Sequence, residues 1–506
     1  MGGKKVIIVG AGPGGLTAGM LLASRGFEVE ILEKEAVVGG RNAAIEMDGF
    51  VFDTGPTFLM MRYVLDEIFA LASRKTSDYL DIREVDPLYR LRFDAQREFF
   101  PSRNREATAQ QIARLFPGDE KGYERFLANE ERKLAKAIPC LQVPYGSFFH
   151  LARLRLLKAL PFLDIHRTLY DHLASYFDHP DLRIAFTFQA KYLGMSPWQC
   201  PGLFSIISLI EHGQGLYHPI GGLHRISTAM ARAVREDGGT IRLSTPVQEI
   251  LVENGRAVGV RLQDGERLTA DFVIVNADFA HAMTRLVPEQ HRRKYTDKAI
   301  AGKRFSCSTF MLYLGTDRTW DIPHHNIIFA PDYRKNVAEI AEAHELSRDP
   351  SVYVQNPCVL DPSMAPPGKS ALYVLVPITN NESGIDWEKE TPAYRELVLD
   401  ILESRAGLAG LRSHIVCEKV LTPLDWEQRY NVYRGATFNL AHNVGQMLVW
   451  RPHNRFEEFK GCYLVGGGTH PGSGLPTIYE SARISAELLM EDAGIRFPFA
   501  AARTQG

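Results

Sequence analysis

Three stretches of this chain carry residues whose types and spacing could do chemistry. Near the start, Gly10-Ala11-Gly12-Pro13-Gly14-Gly15 sets Gly10, Gly12 and Gly15 in a GxGxxG pattern. That spacing lets the backbone approach a pyrophosphate, with the amides of a following helix turned toward it. Glu33 stands about twenty residues on, where an acid accepts hydrogen bonds from a ribose diol and disfavours a 2′-phosphate. Lys34 follows directly, and then the turn Gly39-Gly40-Arg41, which frees two amides and brings a guanidinium close to a diphosphate. Residues 461–483 form a second glycine-rich strand-turn-helix. It is not a GxGxxG, so it argues for no second dinucleotide. It reads instead as closing over the far end of the first one, with Leu475, Pro476 and Thr477 at the helix start.

These groups need elements to hold them. Lys5-Val-Ile-Ile-Val9 has the β-branched composition of a buried parallel strand, residues 17–24 read as a helix stopped at Gly26, and residues 28–32 as a second strand. Together they make one βαβ unit. Residues 105–200 read mainly as helix. Strands return at 240–243, 247–252, 257–262 and 272–276, and the hairpin signals Asn254-Gly255 and Asp264-Gly265 predict a β-meander. Residues 296–450 mix strands at 309–314 and 371–377 with a helix near 389–405, and the chain ends with a strand at 461–465 and a helix at 479–491. The expected fold class is α/β: a Rossmann-like dinucleotide-binding domain, a discontinuous mixed α+β substrate domain and a helical membrane-associating region. The expected domains are 1–100 plus 215–295 plus 450–506 for the dinucleotide, 101–214 for the helical region, and 296–449 for substrate.

Composition removes other classes. The 506 residues are 45% apolar and 23% charged, which excludes disorder, collagen and coiled coil. A net charge of 58 − 60 = −2 offers no footprint for nucleic acid. The six cysteines never take a CxxC or Cys/His spacing, so no metal site is expected and the thiols read as reduced and mostly buried. The start runs into an apolar strand without a leader, and no apolar run reaches the roughly 18 residues of a membrane span. The expected location is the cytoplasm, peripherally on the inner face of the membrane.

The motifs then converge. The block from GxGxxG to Gly40-Arg41, Asp53-Thr-Gly-Pro56, Asn276-Ala-Asp278, the stretch 438–454 ending Trp450-Arg-Pro-His-Asn454, and Gly468-Thr-His-Pro-Gly472 resemble the bacterial and fungal type of phytoene desaturase. That group is the carotenoid desaturase branch of the FAD-dependent amine oxidase-like superfamily, and the resemblance spans essentially the whole chain. It implies FAD as cofactor, with Gly55, Pro56, Thr57, Val247, Asn276, Gly468 and Thr469 added to the cofactor-binding set. It implies as substrate an acyclic isoprenoid such as phytoene or diapophytoene, hydride transfer to flavin N5, and oxygen or a quinone as electron acceptor. A related isomerase, saturase or oxidase, an amine oxidase, and a prenyl-lipid carrier on the same scaffold remain alternatives. No catalytic base is assigned; His470, His453 and Arg451 read as structural hydrogen-bonding groups.

A hydrocarbon substrate calls for a long apolar cavity. The density of Phe148, Phe149, Phe162, Tyr170, Tyr176, Phe177, Phe186, Phe188, Tyr192 and Trp198 makes them candidates for its wall, although each one taken singly reads first as ordinary helix core. The stretch 148–158 alternates basic and apolar residues at helical spacing, which fits an interfacial helix with Arg153, Arg155 and Lys158 toward lipid headgroups.

Overall fold

The structure is a computed structural model and describes residues 3–495; residues 1–2 and 496–506, assigned above to the nucleotide-binding part, lie outside it. Lys5–Val9 is the middle strand of a five-stranded parallel sheet, flanked by Glu28–Leu32 and Thr240–Arg242 on one side and by Phe272–Val275 and Cys462–Leu464 on the other. Val6 to Val9 are buried on both faces, as a parallel strand covered by helices requires. Each such side chain contributes about 1.5–3 kcal/mol when removed from water.

Helix Pro13–Ala23 packs on this sheet between His224–Glu236 and Leu475–Asp492. It starts four residues before the expected position, because Pro13 sits at the first helical turn, where its missing N–H costs nothing. Leu475–Asp492 likewise begins four residues early, with Pro476 in its first turn. The expected meander is present as Val247–Glu253, Arg256–Leu262 and Arg267–Thr269. Two of the four strands grouped around it, Thr240–Arg242 and Phe272–Val275, belong to the parallel sheet instead.

A second, seven-stranded sheet runs in the order Ile415–Leu421, Ser308–Thr316, Ser370–Ile378, Val352–Gln355, His325–Ile328, Arg90–Arg92, Glu98–Phe99. All its pairings are antiparallel except that of His325–Ile328 with Arg90–Arg92. Helix Trp387–Arg405 covers one face. Residues 105–214 are largely helical, led by Glu120–Leu141.

The stretch 148–158 is not one helix. A 3-10 turn at Phe148–Ala152 and a short helix at Leu154–Ala159 meet at Arg153, which is extended at φ −60°, ψ 131°. Arg153 also turns inward: its Nη1 donates to the Pro144 carbonyl at 2.8 Å and its guanidinium lies 5.7 Å from the Tyr145 ring centre. The apolar side chains stay outside, Phe148 at 68% and Phe149 at 89% exposure, with Leu154, Leu157, Leu160 and Phe162 beside them. Among the described residues no helix is long and apolar enough to cross a membrane.

Candidate active site

A cavity of about 500 Å³ opens at the carboxyl ends of the parallel strands and runs to the face of the seven-stranded sheet. Ligands of open α/β sheets bind at this edge. Two helices begin on its wall, Pro13–Ala23 after Gly12 and Leu475–Asp492 after Gly474, and neither is capped by a side chain. Their first-turn N–H groups and positive dipole ends therefore face one space. Close approach needs small residues here. A Cβ on Gly14 would stand 2.5 Å from Val465 Cγ1 and 2.7 Å from Asn276 Oδ1. Asn276 Nδ2 in turn donates to the Gly10 carbonyl at 3.0 Å and holds the turn shut.

Glu33 is buried on the same wall and accepts from the Ala11 N–H at 2.7 Å and the Glu35 N–H at 3.0 Å. Burial raises its pKa, and these two N–H groups oppose the rise. Arg41 donates to the Thr437 carbonyl at 2.6 Å and to Asn439 Oδ1 at 3.3 Å, which ties the Gly40-Arg41 turn to the block 438–454. Burial lowers its pKa against the pull of Asp278. Lys34 donates to Glu35 Oε1 at 2.6 Å and also bonds the Arg429 carbonyl. The Gly55 carbonyl accepts from Tyr373 Oη, and Thr57 Oγ1 pairs with Tyr353 Oη, both at 2.7 Å.

Of the residues expected from sequence, Gly10, Gly12, Pro13, Gly14, Glu33, Lys34, Gly40, Arg41, Gly55, Pro56, Thr57, Val247, Asn276, Leu475 and Pro476 all meet on this wall. Ala11, Gly15, Gly468, Thr469 and Thr477 do not line it. Ala11 gives its N–H to Glu33, and a Cβ on Gly15 would lie 2.2 Å from the Gly10 carbonyl oxygen. Gly468 packs on Phe279, while Thr469 is buried with its carbonyl bonded to Arg451. Thr477 turns its hydroxyl back to the Ser473 and Gly474 carbonyls, so Ile478 takes the wall position.

Beyond the nucleotide-like end the wall is apolar. Of the ten aromatic candidates, Phe188 and Tyr192 line it. Phe177 and Phe186 pack with ring centres 4.8 Å apart and planes tilted by 35° inside the helical core, Tyr176 packs edge-on to Phe126, and Tyr170 and Trp198 border a separate cleft. Phe148, Phe149 and Phe162 are exposed. Sequence reading missed the opposite wall, where Thr309 and Met311 and then Tyr373, Leu375 and Pro377 alternate along two strands. The period-2 signal was there, but both strands are buried on both faces and read as unbroken apolar runs. His470, His453 and Arg451 each bond backbone carbonyls, at Val143, Val449 and Gly467 respectively, and none reaches the cavity. Three cysteines are buried and three half-buried, all as free thiols. Among the described residues no cluster of His, Cys, Asp or Glu is arranged to hold a metal.

The donor set suits a dinucleotide: two open helix ends for a diphosphate, a buried carboxylate for a ribose, and a sheet face for a flat ring. Bound there, FAD supplies a two-electron hydride acceptor. Comparison with known proteins agrees. The profile of the family described as "Flavin containing amine oxidoreductase" matches residues 13–490. The chain is 52% identical over 494 residues to a 4,4′-diapophytoene desaturase (4,4′-diapolycopene-forming) of Methylomonas sp., covering 98% of this chain and 96% of the relative. It is 39% identical to an all-trans-zeta-carotene desaturase of Myxococcus xanthus, covering 97% of this chain and 94% of the relative. Among solved structures, cyclohexylamine oxidase from Brevibacterium oxydans superposes with a TM-score of 0.63 at 16% identity, over 97% of this chain and 100% of that one. The chain therefore belongs to the flavin-containing amine oxidoreductase family and is an FAD-dependent oxidoreductase.

Proposed function

We propose that this protein desaturates an acyclic isoprenoid, phytoene or its C30 counterpart diapophytoene, and so lengthens a conjugated polyene. The observation that carries this is the apolar half of the cavity, bounded by Phe58, Met60, Phe188, Tyr192, Met311 and Leu375 next to the nucleotide-like end. An isoprenoid hydrocarbon offers nothing to a ring of charges and everything to such a wall. Lys191 lies on it, and burial pushes its pKa down to about 7, so the wall disfavours even this charge. The names of the relatives point the same way, with the C30 substrate favoured by the 52% match.

Glu33, Arg41, the Gly10 to Gly15 turn and the start at Leu475-Pro476 would hold FAD, and the side chains beyond would keep the substrate extended and dry. The nucleotide-binding part comprises 1–100, 215–295 and 450–506 in this reading, with 101–214 as the helical region and 296–449 as the substrate domain. Oxygen or a quinone reoxidises the flavin. The exposed patch of Phe148, Phe149, Leu154, Leu157, Leu160 and Phe162, with Trp450 packed 6.2 Å from Phe148, would sit in the acyl boundary on the inner face of the membrane and receive a lipid-soluble substrate there. Arg155 and Lys158 would meet headgroups; Arg153, bonded inward, would not.

The test is expression in a host that makes phytoene or diapophytoene, followed by the absorption spectrum of the extracted pigment. Coloured polyene is expected. Colourless extract, together with peroxide formed from a panel of amines, would replace this reading with an amine oxidase.

A further inference from the structure

Desaturation removes a proton as well as a hydride, and the apolar wall gives that proton few places to go. A polar line leaves the cavity at Tyr353. Tyr353 and Thr57 are on the wall, and their hydroxyls pair at 2.7 Å. Tyr353 Oη also lies 2.7 Å from His325 Nδ1, and the other nitrogen of that ring, Nε2, lies 3.1 Å from His324 Nδ1. The His324 ring stands edge-on to His218 at 5.0 Å between centroids, and His218 Nε2 is 3.0 Å from Asp361 Oδ2. His218, His324, His325 and Asp361 are each at most 4% exposed.

We propose that Tyr353, His325, His324, His218 and Asp361 form a proton relay from the cavity wall to a buried imidazole–carboxylate pair, and that it takes up the proton released in the desaturation proposed above. These contacts, with His324 Nδ1 also 3.4 Å from His325 Nδ1, allow two polarities, and the relay takes the one that carries protons away from the cavity. Thr57 donates to Tyr353 Oη, Tyr353 donates to His325 Nδ1, His325 Nε2–H donates to His324 Nδ1, and His218 Nε2–H donates to Asp361. This leaves a hydrogen on His324 Nε2 and a lone pair on His218 Nδ1. Those two buried atoms have no hydrogen-bond partner, although they belong to neighbouring rings. Buried polar atoms are rarely left so, and the pair marks the one junction that a proton must cross, directly or through a single water.

The step balances as follows. One substrate carbon loses hydride, with both electrons of its C–H bond going to FAD. The adjacent carbon loses a proton to Tyr353 Oη, and the electrons of that second C–H bond become the new π bond. Tyr353 passes its own proton to His325 Nδ1, His325 passes its Nε2 proton to His324 Nδ1, and His324 passes its Nε2 proton to His218 Nδ1. The net result is an oxidised substrate, a reduced flavin and an imidazolium at His218 beside a carboxylate. The environment suits this direction. Burial holds His325 down to about 3 and His324 well below its ordinary value, so neither retains the proton. Asp361 is held at about 2: burial works against this, but hydrogen bonds from His218, Ser363 and the Gly221 N–H outweigh it and keep the carboxylate charged. Asp53 is the charged group that acts on Tyr353, and it adds to burial in raising the phenol's pKa, against the hydrogen bond to Thr57.

The test has two arms, both on the full chain loaded with FAD. In the first, anaerobic bleaching of the flavin by phytoene or diapophytoene in vesicles is timed for the parent, Tyr353→Phe and His324→Gln. Each variant is expected to bleach on the order of 10²–10⁴-fold more slowly. FAD content and thermal midpoint should stay at parental values, and the solvent deuterium effect on bleaching should shrink. In the second arm, ¹⁵N-histidine NMR without substrate is expected to show neutral Nε2–H tautomers at His325 and His324. An Nδ1–H tautomer at His325, or parental bleaching rates in both variants, would overturn the relay. If neither isoprenoid bleaches the parent, the desaturation reading falls, and the tautomers alone decide whether the relay is wired as described.

Discussion

Arg451 is the most informative single side chain to perturb. It is fully buried, and its five hydrogen-bond acceptors are all backbone carbonyls: Gly467 at 2.6 Å, Thr469 at 3.2 Å, Leu440 at 3.3 Å, Gln446 at 3.4 Å and Ala441 at 3.5 Å. Burial pulls its pKa down to about 9, which still leaves it charged at neutral pH. The guanidinium thus sews the 440–446 segment to the 467–469 turn. One neighbour of the first, Asn439, holds Arg41, and Gly466 and Gly467 line the cavity. The two shorter bonds, both to the 467–469 turn and from a charged donor, are worth about 1.5–3 kcal/mol each, and the three longer ones, which reach 440–446, are weaker one by one and hold that segment together as a set. Arg451→Leu should therefore cost about 3–6 kcal/mol, a large part of the roughly 5–15 kcal/mol that holds a domain folded. Arg451→Lys keeps the charge on a flexible stem that cannot span both segments, so it should lose about half as much. Urea unfolding gives the stability, and FAD fluorescence on release gives retention; both should fall together, in the order parent, Lys, Leu. If Arg451→Leu unfolds within about 1 kcal/mol of the parent, the clamp is not what joins these segments.

Two further outcomes follow from the buried charges. Glu33→Gln keeps an oxygen for one of the Ala11 and Glu35 N–H groups, which now bond different carboxylate oxygens, and loses the charge offered to a ribose, so FAD affinity should fall at least about tenfold, roughly 1.4 kcal/mol; full occupancy at limiting FAD would remove Glu33 from the ribose. Acid should destabilise the protein well above the carboxylate range. His212, His324, His325, His442 and His470 are buried with folded pKa values far below 6.5, so below that pH the unfolded chain binds protons that the folded one refuses. Glu211, pushed up to about 7, and Glu33 and Asp278, also raised, act oppositely, leaving a net two or more imidazole equivalents, or roughly 3 kcal/mol per pH unit. The thermal midpoint should drop steeply from pH 6.5 to 5, and a flat profile would mean these imidazoles are protonated in the folded state.

What the sequence made legible, and what it hid, divides along one physical line. The Gly10 to Gly15 turn, Glu33 and Gly40-Arg41 lie within one βαβ unit, so their spacing along the chain is nearly their spacing in space. Leu475-Pro476 was recognisable because a glycine-rich turn before a proline-started helix has a local signature of its own. Phe58, Met311, Tyr353 and Leu375 have no such signature: each is an ordinary strand or loop residue until the seven-stranded sheet brings it to the cavity. The aromatic density of 148–198 misled for the same reason, since only Phe188 and Tyr192 of ten reach the wall and the other eight serve the core, a separate cleft or the surface.

The same division accounts for the division of labour in the site. Binding a diphosphate needs backbone amides at a helix end, and a local motif can encode that in a dozen residues. A dry wall for a hydrocarbon, and a polar line leading out of it, must be assembled from segments that close on one another from opposite sides. His218, His325, Tyr353 and Asp361 span 143 residues of sequence and meet only because the strand Leu216–Pro219, the seven-stranded sheet and the turn at 361–364 pack together. A change of substrate within this family can therefore act on the sheet face and the helical region while leaving the nucleotide turn untouched. Arg451 is where the two kinds of construction join, because it bonds the loop that holds Arg41 on one side and the glycine turn of the second helix on the other.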